Sequence, residues 1–335
     1  MTRLFLCGFE AGSIAAMSQP RGDPAPSAST TQKRTGNYSM YSPGNSSVMA
    51  VLSTLTGEIY IRFGIYIVAQ TGSGCFLCLG NSDQANIACF TRKSDTKKLE
   101  YRYSTVSAGV TADGGALELN QWHCIEVHAK IAASPNGIMQ VKIDGSQVID
   151  YSGNTKYGND AGVKSVEFGF WVATTNLEAY FDDLAINDTA GAVNNSWIGQ
   201  GGILGLKPVA NGYYAQLTPS AGSNFECVNH VPPDDVHHVA SATVDKKDSY
   251  EMQDMPAIST TINAIRWEAR VRATESSASK VARLLRIGGS DYQGSDIPID
   301  VSTEVVSEVL ETNPATSTIW TVSTLNSTEA GVVVK

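Results

Sequence analysis

The stretch Val163–Asp188, VKSVEFGFWVATTNLEAYFDDLAIND, decides the fold. Two runs rich in aromatic and β-branched residues flank the polar turn Ala173–Asn176, a pattern that predicts two strands rather than a helix. In the second run, a period of two puts Tyr180, Asp182, Leu184 and Ile186 on one face and Phe181, Asp183, Ala185 and Asn187 on the other. Asp182 then falls in an apolar row. A carboxylate there has to be hydrogen-bonded, ion-paired or metal-bound, because an unpaired buried charge is too costly. Beyond Asp188 the composition shifts to Gly, Asn, Ala and Ser up to Gly212, which reads as the end of one domain and a linker over 189–212.

Upstream of this stretch the pattern is also β. Arg3–Glu10 reads as a first strand, and a Pro/Ser/Thr/Gly-rich stretch, Ser18–Ser47, as a long loop with one short strand. Strand-like runs follow at Ser47–Leu52, Glu58–Gln70, Gly74–Gly80, Ala85–Arg92, Lys97–Thr105 and Trp122–Ile131. In the last, Ile125, Val127, Ala129 and Ile131 alternate with Glu126, His128 and Lys130. Ile138–Ile143, the turn Asp144–Gly145 and Gln147–Tyr151 form a hairpin signal. No helical periodicity of useful length precedes Gly191. Residues 1–188 are therefore expected to fold as an all-β sandwich.

Composition limits the partners. With 335 residues the chain can hold two domains, and 42% hydrophobic against 17% charged residues fits folded structure. A net charge of −9 argues against nucleic acid, whose phosphates call for a basic excess. No apolar run approaches the roughly 18 residues of a membrane helix. The apolar run Leu4–Cys7 is too short for a secretion signal, so the six cysteines are expected to be reduced and packed in the core.

Several motifs together carry a resemblance: Gly8–Glu10, Glu58–Ile67, Asn120–Ile131, Val141–Gly145, Phe168–Trp171 and Tyr180–Asp188. In this order they resemble concanavalin-A-like (laminin-G-like) jelly rolls, in the version found in tailed-bacteriophage structural proteins. The segments Asn194–Gly199, Pro232–Asp235, Lys247–Tyr250 and Glu311–Pro314 are also similar to those proteins. The resemblance implies a concanavalin-A-like jelly roll over 1–188. It further implies a virion protein, assembled in the host cytoplasm, that decorates a capsid or forms part of a tail or fibre. Its partners would be other virion proteins and copies of itself, a trimer being preferred. The rival reading is a lectin-like receptor-binding protein that contacts host surface glycans.

Residues 213–335 read as a second, smaller β-sandwich, expected to serve particle attachment or oligomerisation. Its clearest strand is Ile262–Ala273, with Ile265, Trp267, Ala269, Val271 and Ala273 on one face and Arg266, Glu268, Arg270 and Arg272 on the other. The arginine row Arg266, Arg270 and Arg272 is a candidate docking face for an acidic neighbour. Trp320 and Gly331–Lys335 suggest a closing strand, with a helical turn in Ser323–Ala330.

Chemistry has few candidates. Asp182 and Asp183 are weak candidates for calcium, because no dense ligand loop completes the six to eight oxygens that ion wants. Otherwise no cofactor is expected. Cys75 and Cys78 have metal-like spacing, but i and i+3 on a strand point to opposite faces, so core packing is favoured. Asp234, Asp235, His237 and His238 form a second cluster, in which alternation would pair Asp235 with His237 as two ligands at best, so a solvated loop or an interface is favoured over a metal site. Glu126 and His128 lie between residues that read as exposed. No paired-carboxylate motif of glycoside hydrolysis, no Gly-x-Ser-x-Gly elbow and no phosphate loop is present, so the expectation is a protein that is not an enzyme, without catalytic residues. Trp122, Trp171 and Tyr180 are candidates for an aromatic platform under a sugar ring, although tryptophans in such strands more often pack in the core.

Overall fold

In a computed structural model the described residues are 3–83, 86–103, 109–156, 161–169, 176–257, 261–275 and 279–335. Almost all ordered backbone among them is β. The chain divides into two compact units, Met1–Leu204 and Gly205–Lys335.

The first unit contains β1 (Arg3–Cys7), β2 (Ser18–Arg21), β3 (Ser27–Ser29), β4 (Ser39–Ser42), β5 (Ser47–Thr56), β6 (Glu58–Thr71), β7 (Gly74–Gly80) and β8 (Asn86–Arg92). It continues with β9 (Lys98–Tyr103), β10 (Gly109–Ala116), β11 (Trp122–Lys130), β12 (Gly137–Ile143), β13 (Ser146–Gly153), β14 (Val163–Gly169) and β15 (Asn176–Asp188). They build two antiparallel sheets. The first has the order β13-β12-β11-β6-β15-β4-β3, with β1 also on β15, and the second the order β10-β9-β8-β7-β14-β5-β2. The Ser18–Ser47 stretch thus supplies three short strands where one was expected. The alternation in β6 sends Ile59, Ile61, Phe63, Ile65 and Ile67 inward, each at most 1% exposed. Phe63 meets Phe76 and Phe168 of the other sheet at ring-centre distances of 6.2 and 5.3 Å, so the two sheets share one apolar core.

Strand β15 departs from strict alternation. Asp182 pairs with Gly64 and Ala185 with Arg62, so Asp183 and Leu184 together face Phe63, a bulge with Asp183 at φ 55°. The extra residue reverses the phase. Phe181, Leu184 and Ile186 join the core, while Tyr180, Asp182, Ala185 and Asn187 share the outer face. Asp182 is therefore not in the apolar row that alternation alone assigns it.

The segment after β15 also departs from its linker reading. Residues 189–204 belong to the first unit and lie on the outer face of its first sheet. Trp197 packs on Tyr60 and His128 at 5.6 and 5.9 Å, with the Lys142 ammonium 3.8 Å from its ring centre. The Gly199 N–H donates to Glu126 (2.7 Å), and the Gly201 carbonyl accepts from Arg62 and Arg34. Many glycines and asparagines make a flexible composition, yet here they let the backbone lie close against a polar sheet face. Glu126 and His128 are consequently buried, at 3% and 6% exposure, where the sequence places them at the surface.

The second unit has a main sheet made of β16 (Pro208–Ala215), β19 (Lys247–Met252), β21 (Lys280–Ile287), β22 (Ser290–Gln293), β23 (Ile297–Pro298) and β25 (Glu329–Val334). Two ribbons complete it, β17 (Thr218–Pro219) with β18 (Val239–Ala240), and β20 (Ile265–Val271) with β24 (Glu304–Leu310). Trp267 of β20 packs with Val281 and Val306, as the alternation of that strand requires. The expected helical turn is α1 (Val322–Asn326), closed by a capping box between Thr321 and Thr324. Trp320 is 2% exposed at its start.

Candidate functional site

The outer face of the first sheet carries two zones. Along β6 the outward residues are Tyr60, Arg62, Gly64 and Tyr66, because Ile59, Ile61, Phe63 and Ile65 face the core. The Tyr60 and Arg62 rows lie under the 189–204 segment. At the Gly64 row the cover is Arg34, whose Cδ would lie 2.6 Å from a Cβ at Gly64; only glycine leaves that space.

A latch holds this cover. Asp182 Oδ2 accepts from the Arg34 and Thr35 N–H groups at 2.8 and 3.2 Å, and its Oδ1 from the Asp183 N–H at 2.7 Å. Asp183 Oδ2 takes the Arg34 guanidinium at 2.6 Å, and Oδ1 accepts from the Thr35 hydroxyl and from the Ile203 N–H at 2.6 Å. All four carboxylate oxygens of these calcium candidates thus hold donors from the protein, which a cation would have to displace. Burial and the neighbouring Asp183 push the Asp182 carboxyl up to about 8, against the pull of the backbone N–H groups.

Beyond Gly64 lies the second zone. Strand register sets Trp122 beside Tyr66, Tyr66 beside Tyr180 and Tyr180 beside Tyr41, one ring from each of β11, β6, β15 and β4. Ring centres step by 5.7, 6.2 and 4.8 Å. Tyr180 is buried between its neighbours, while Trp122, Tyr66 and Tyr41 are half-buried. At one end the Tyr41 hydroxyl donates to Glu178 at 2.7 Å; burial and this carboxylate raise the phenol to about 12, so it stays a donor. Gln121 is exposed next to Trp122 at the other end.

The structure therefore brings together two of the three aromatic candidates, Trp122 and Tyr180, and adds Tyr66 and Tyr41, which the sequence reading passed over. Tyr66 was legible, since it lies two residues beyond Gly64 on the outward phase of β6. Tyr41 was not, because its strand sits within a stretch whose composition says loop. Trp171 lies outside the described residues.

Other candidates fall elsewhere. Arg270 grips Asp235 with two bonds of 3.0 Å, and Arg266 pairs with Glu268 at 2.9 Å, so much of the arginine row's charge is met within the chain; Arg272 is exposed. With Asp235 held by Arg270, the carboxylate facing His237 is Asp234, at 2.9 Å, with His230 at 3.3 Å. Residues 230–238 are a largely exposed irregular loop, the favoured reading, and in it Asp234, not the Asp235 that alternation selects, is the partner of His237. Cys75 and Cys78 were expected on opposite faces, but a bulge between Cys75 and Leu77 turns both Phe76 and Leu77 into the core and leaves the two cysteines on the same side.

No family model matches the chain, and no curated protein matches it. Among solved structures it is similar to an endo-β-1,4-glucuronan lyase from the fungus Trichoderma reesei, at 15% identity and a TM-score of 0.43, over 55% of this chain and 95% of that one. It is also similar to an alginate lyase (11%, 0.41, over 55% and 96%) and to a cellulose-induced protein (17%, 0.40, over 52% and 88%). These likenesses extend to a β-sandwich and no further. The expectation that the chain is not an enzyme is withdrawn, because a glucuronan lyase, an alginate lyase and a sialidase are among the structures of similar fold; no activity of this chain follows from them. The motifs sought in the sequence stand for only a few reaction classes, so their absence does not exclude an enzyme.

Proposed function

We propose that the first unit binds a carbohydrate chain along the row Trp122–Tyr66–Tyr180–Tyr41. The observation that carries this reading is the placement of one aromatic ring on each of four adjacent strands, forming a continuous band across the sheet. Such a band suits sugars, whose C–H faces stack on aromatic rings while their hydroxyls seek polar groups at the edge. Glu178, the Tyr41 hydroxyl and Gln121 offer those groups. The latch and the 189–204 segment close the sheet on one side of the band, so a ligand would run across the strands. The resemblance to tailed-phage structural proteins supports setting this face on a virion, directed at host surface glycans. Repetition in a homo-oligomer, a trimer by preference, would raise a weak single-site affinity by avidity.

Binding of the whole protein to a panel of neutral and acidic polysaccharides tests this reading. Each exposed ring should contribute about 0.5–1.5 kcal/mol. Trp122→Ala should therefore weaken binding by up to about tenfold, with the melting temperature little changed. A panel without a ligand, or a ligand bound equally well by Trp122→Ala and Tyr66→Ala, would refute it. Following bound polysaccharide for chain cleavage separates a binding domain from a catalytic one.

A further inference from the structure

The second sheet of the first unit carries a feature that the carbohydrate reading leaves unused. On its outer face, strand register aligns Glu167 of β14, Cys78 of β7, Cys89 of β8 and Arg102 of β9 in one row across the strands. The bulge in β7 adds Cys75 to the same face. The Cys78 sulfur lies 3.4 Å from that of Cys75 and 2.7 Å from that of Cys89, and all three lie within 4.8 Å of one another. All three are free thiols.

We propose that Cys75, Cys78 and Cys89 form a binding site for one thiophilic divalent cation of the zinc class. Three sulfurs around a zinc ion, with bonds of about 2.3 Å in tetrahedral geometry, stand roughly 3.8 Å apart. The Cys78 sulfur lies closer than this to both others, at 3.4 and 2.7 Å, so the sulfurs part by up to about 1 Å through side-chain rotation to take the ion. The ligands come from two hydrogen-bonded strands of a packed sheet, which fixes them without a disordered loop to be folded first. Cys78 is fully buried and Cys75 is 8% exposed, while Cys89 is half-buried and gives an ion its way in. Binding exchanges the three S–H protons for one divalent cation, the protons going to solvent, and leaves a complex with one net negative charge. Arg102 stands beside Cys89 and is paired with Glu100 at 2.8 Å, and Arg21 lies 3.8 Å from Glu167, so each cation near the row comes with its own carboxylate. The cluster supplies three ligands and leaves the fourth position to water; Glu167, on the far side of Cys78 from Cys89, accepts from the Ser47 hydroxyl.

The test uses the full chain, reduced, stripped with a chelator and titrated with cadmium without oxygen. Thiolate-to-cadmium charge-transfer absorption should grow to one equivalent, and Cys89, the half-buried thiol among six cysteines, should then be protected from a thiol reagent. Cys89→Ser, the least buried change, should weaken binding at least tenfold, and Cys227→Ser should leave it unchanged. If Cys78→Ser does not fold, the stoichiometry and the Cys89 protection of the unaltered protein still decide. Absence of the absorption band, a Cys89 thiol that stays as reactive with cadmium as without it, or a Cys78–Cys89 disulfide that persists under reductant and keeps cadmium out would overturn the proposal.

Discussion

The two units solve the same problem by different means. In the first, two large sheets face each other over one continuous apolar cluster that reaches from Cys7 to Ile186. In the second, the apolar clusters among the described residues are three small ones of three or four buried residues each. What the second unit lacks in apolar volume it replaces by buried polar staples. Asp248, with no exposure, accepts from the Gln216 and Leu217 N–H groups, the Asn224 amide and the Tyr250 hydroxyl. Arg283 is 4% exposed and donates to Glu308 and to the Tyr292 carbonyl. A large core tolerates an error at one contact because its neighbours partly relax, whereas a staple holds several donors that have no other partner.

The contrast can be broken by substitution in each unit. Phe63→Ala removes a ring that touches Phe76, Phe168 and Phe181 and should cost about 3–5 kcal/mol. Calorimetry should show the first unit's transition falling and the second's unmoved. Asp248→Ala, although polar, should cost the second unit about 3 kcal/mol, since four donors lose their acceptor. Should that variant melt like the unaltered protein, the small clusters would be enough by themselves and the contrast would fail.

A pH series sharpens the account of the latch. The Asp182 carboxyl rises to about 8 in the folded state and sits near 3.9 when unfolded. Between those values the native state keeps a proton that the unfolded chain has released. Its contribution to stability is thus fully present below about 4 and declines as pH rises towards 8, by at most about 1.4 kcal/mol per pH unit. Urea unfolding at pH 5, 7 and 9 measures the slope for the first unit. Asp182→Asn, which has no proton to lose, should flatten that slope.

How much of this was legible follows from the period of two. Most strands of the first unit, the alternation along β11 and the Trp267 face come from it directly, and the hairpin at Asp144–Gly145 from its turn residues. What it cannot show is a bulge, because one added residue leaves the composition of a strand unchanged while reversing every side chain after it. Both errors of phase arise there: Asp182 was assigned to an apolar row, and Cys75 was separated from Cys78. Two of the aromatic row's members were named because Trp122 and Tyr180 stand out in their strands. The row itself needs register between β4, β6, β11 and β15, and register is a property of pairs that no single strand carries.

The 189–204 segment allows the finest distinction between core and staple. Trp197 holds it through stacking and the Lys142 ammonium, while Asp183 and Arg62 hold it through Ile203 and Gly201. Trp197→Ala should cost about 1–2 kcal/mol, the sum of one aromatic pair and one cation–π contact. The loss should be local. Hydrogen exchange should quicken at the Gly199 N–H, which donates to Glu126, and much less at Ile203, which the latch still grips. Equal quickening at both amides would mean that the ring and the carboxylates act as one unit. A fall in the whole unit's melting temperature as large as that of Phe63→Ala would place Trp197 in the core, and the segment would then be an added layer of the sandwich instead of a cover fastened to it.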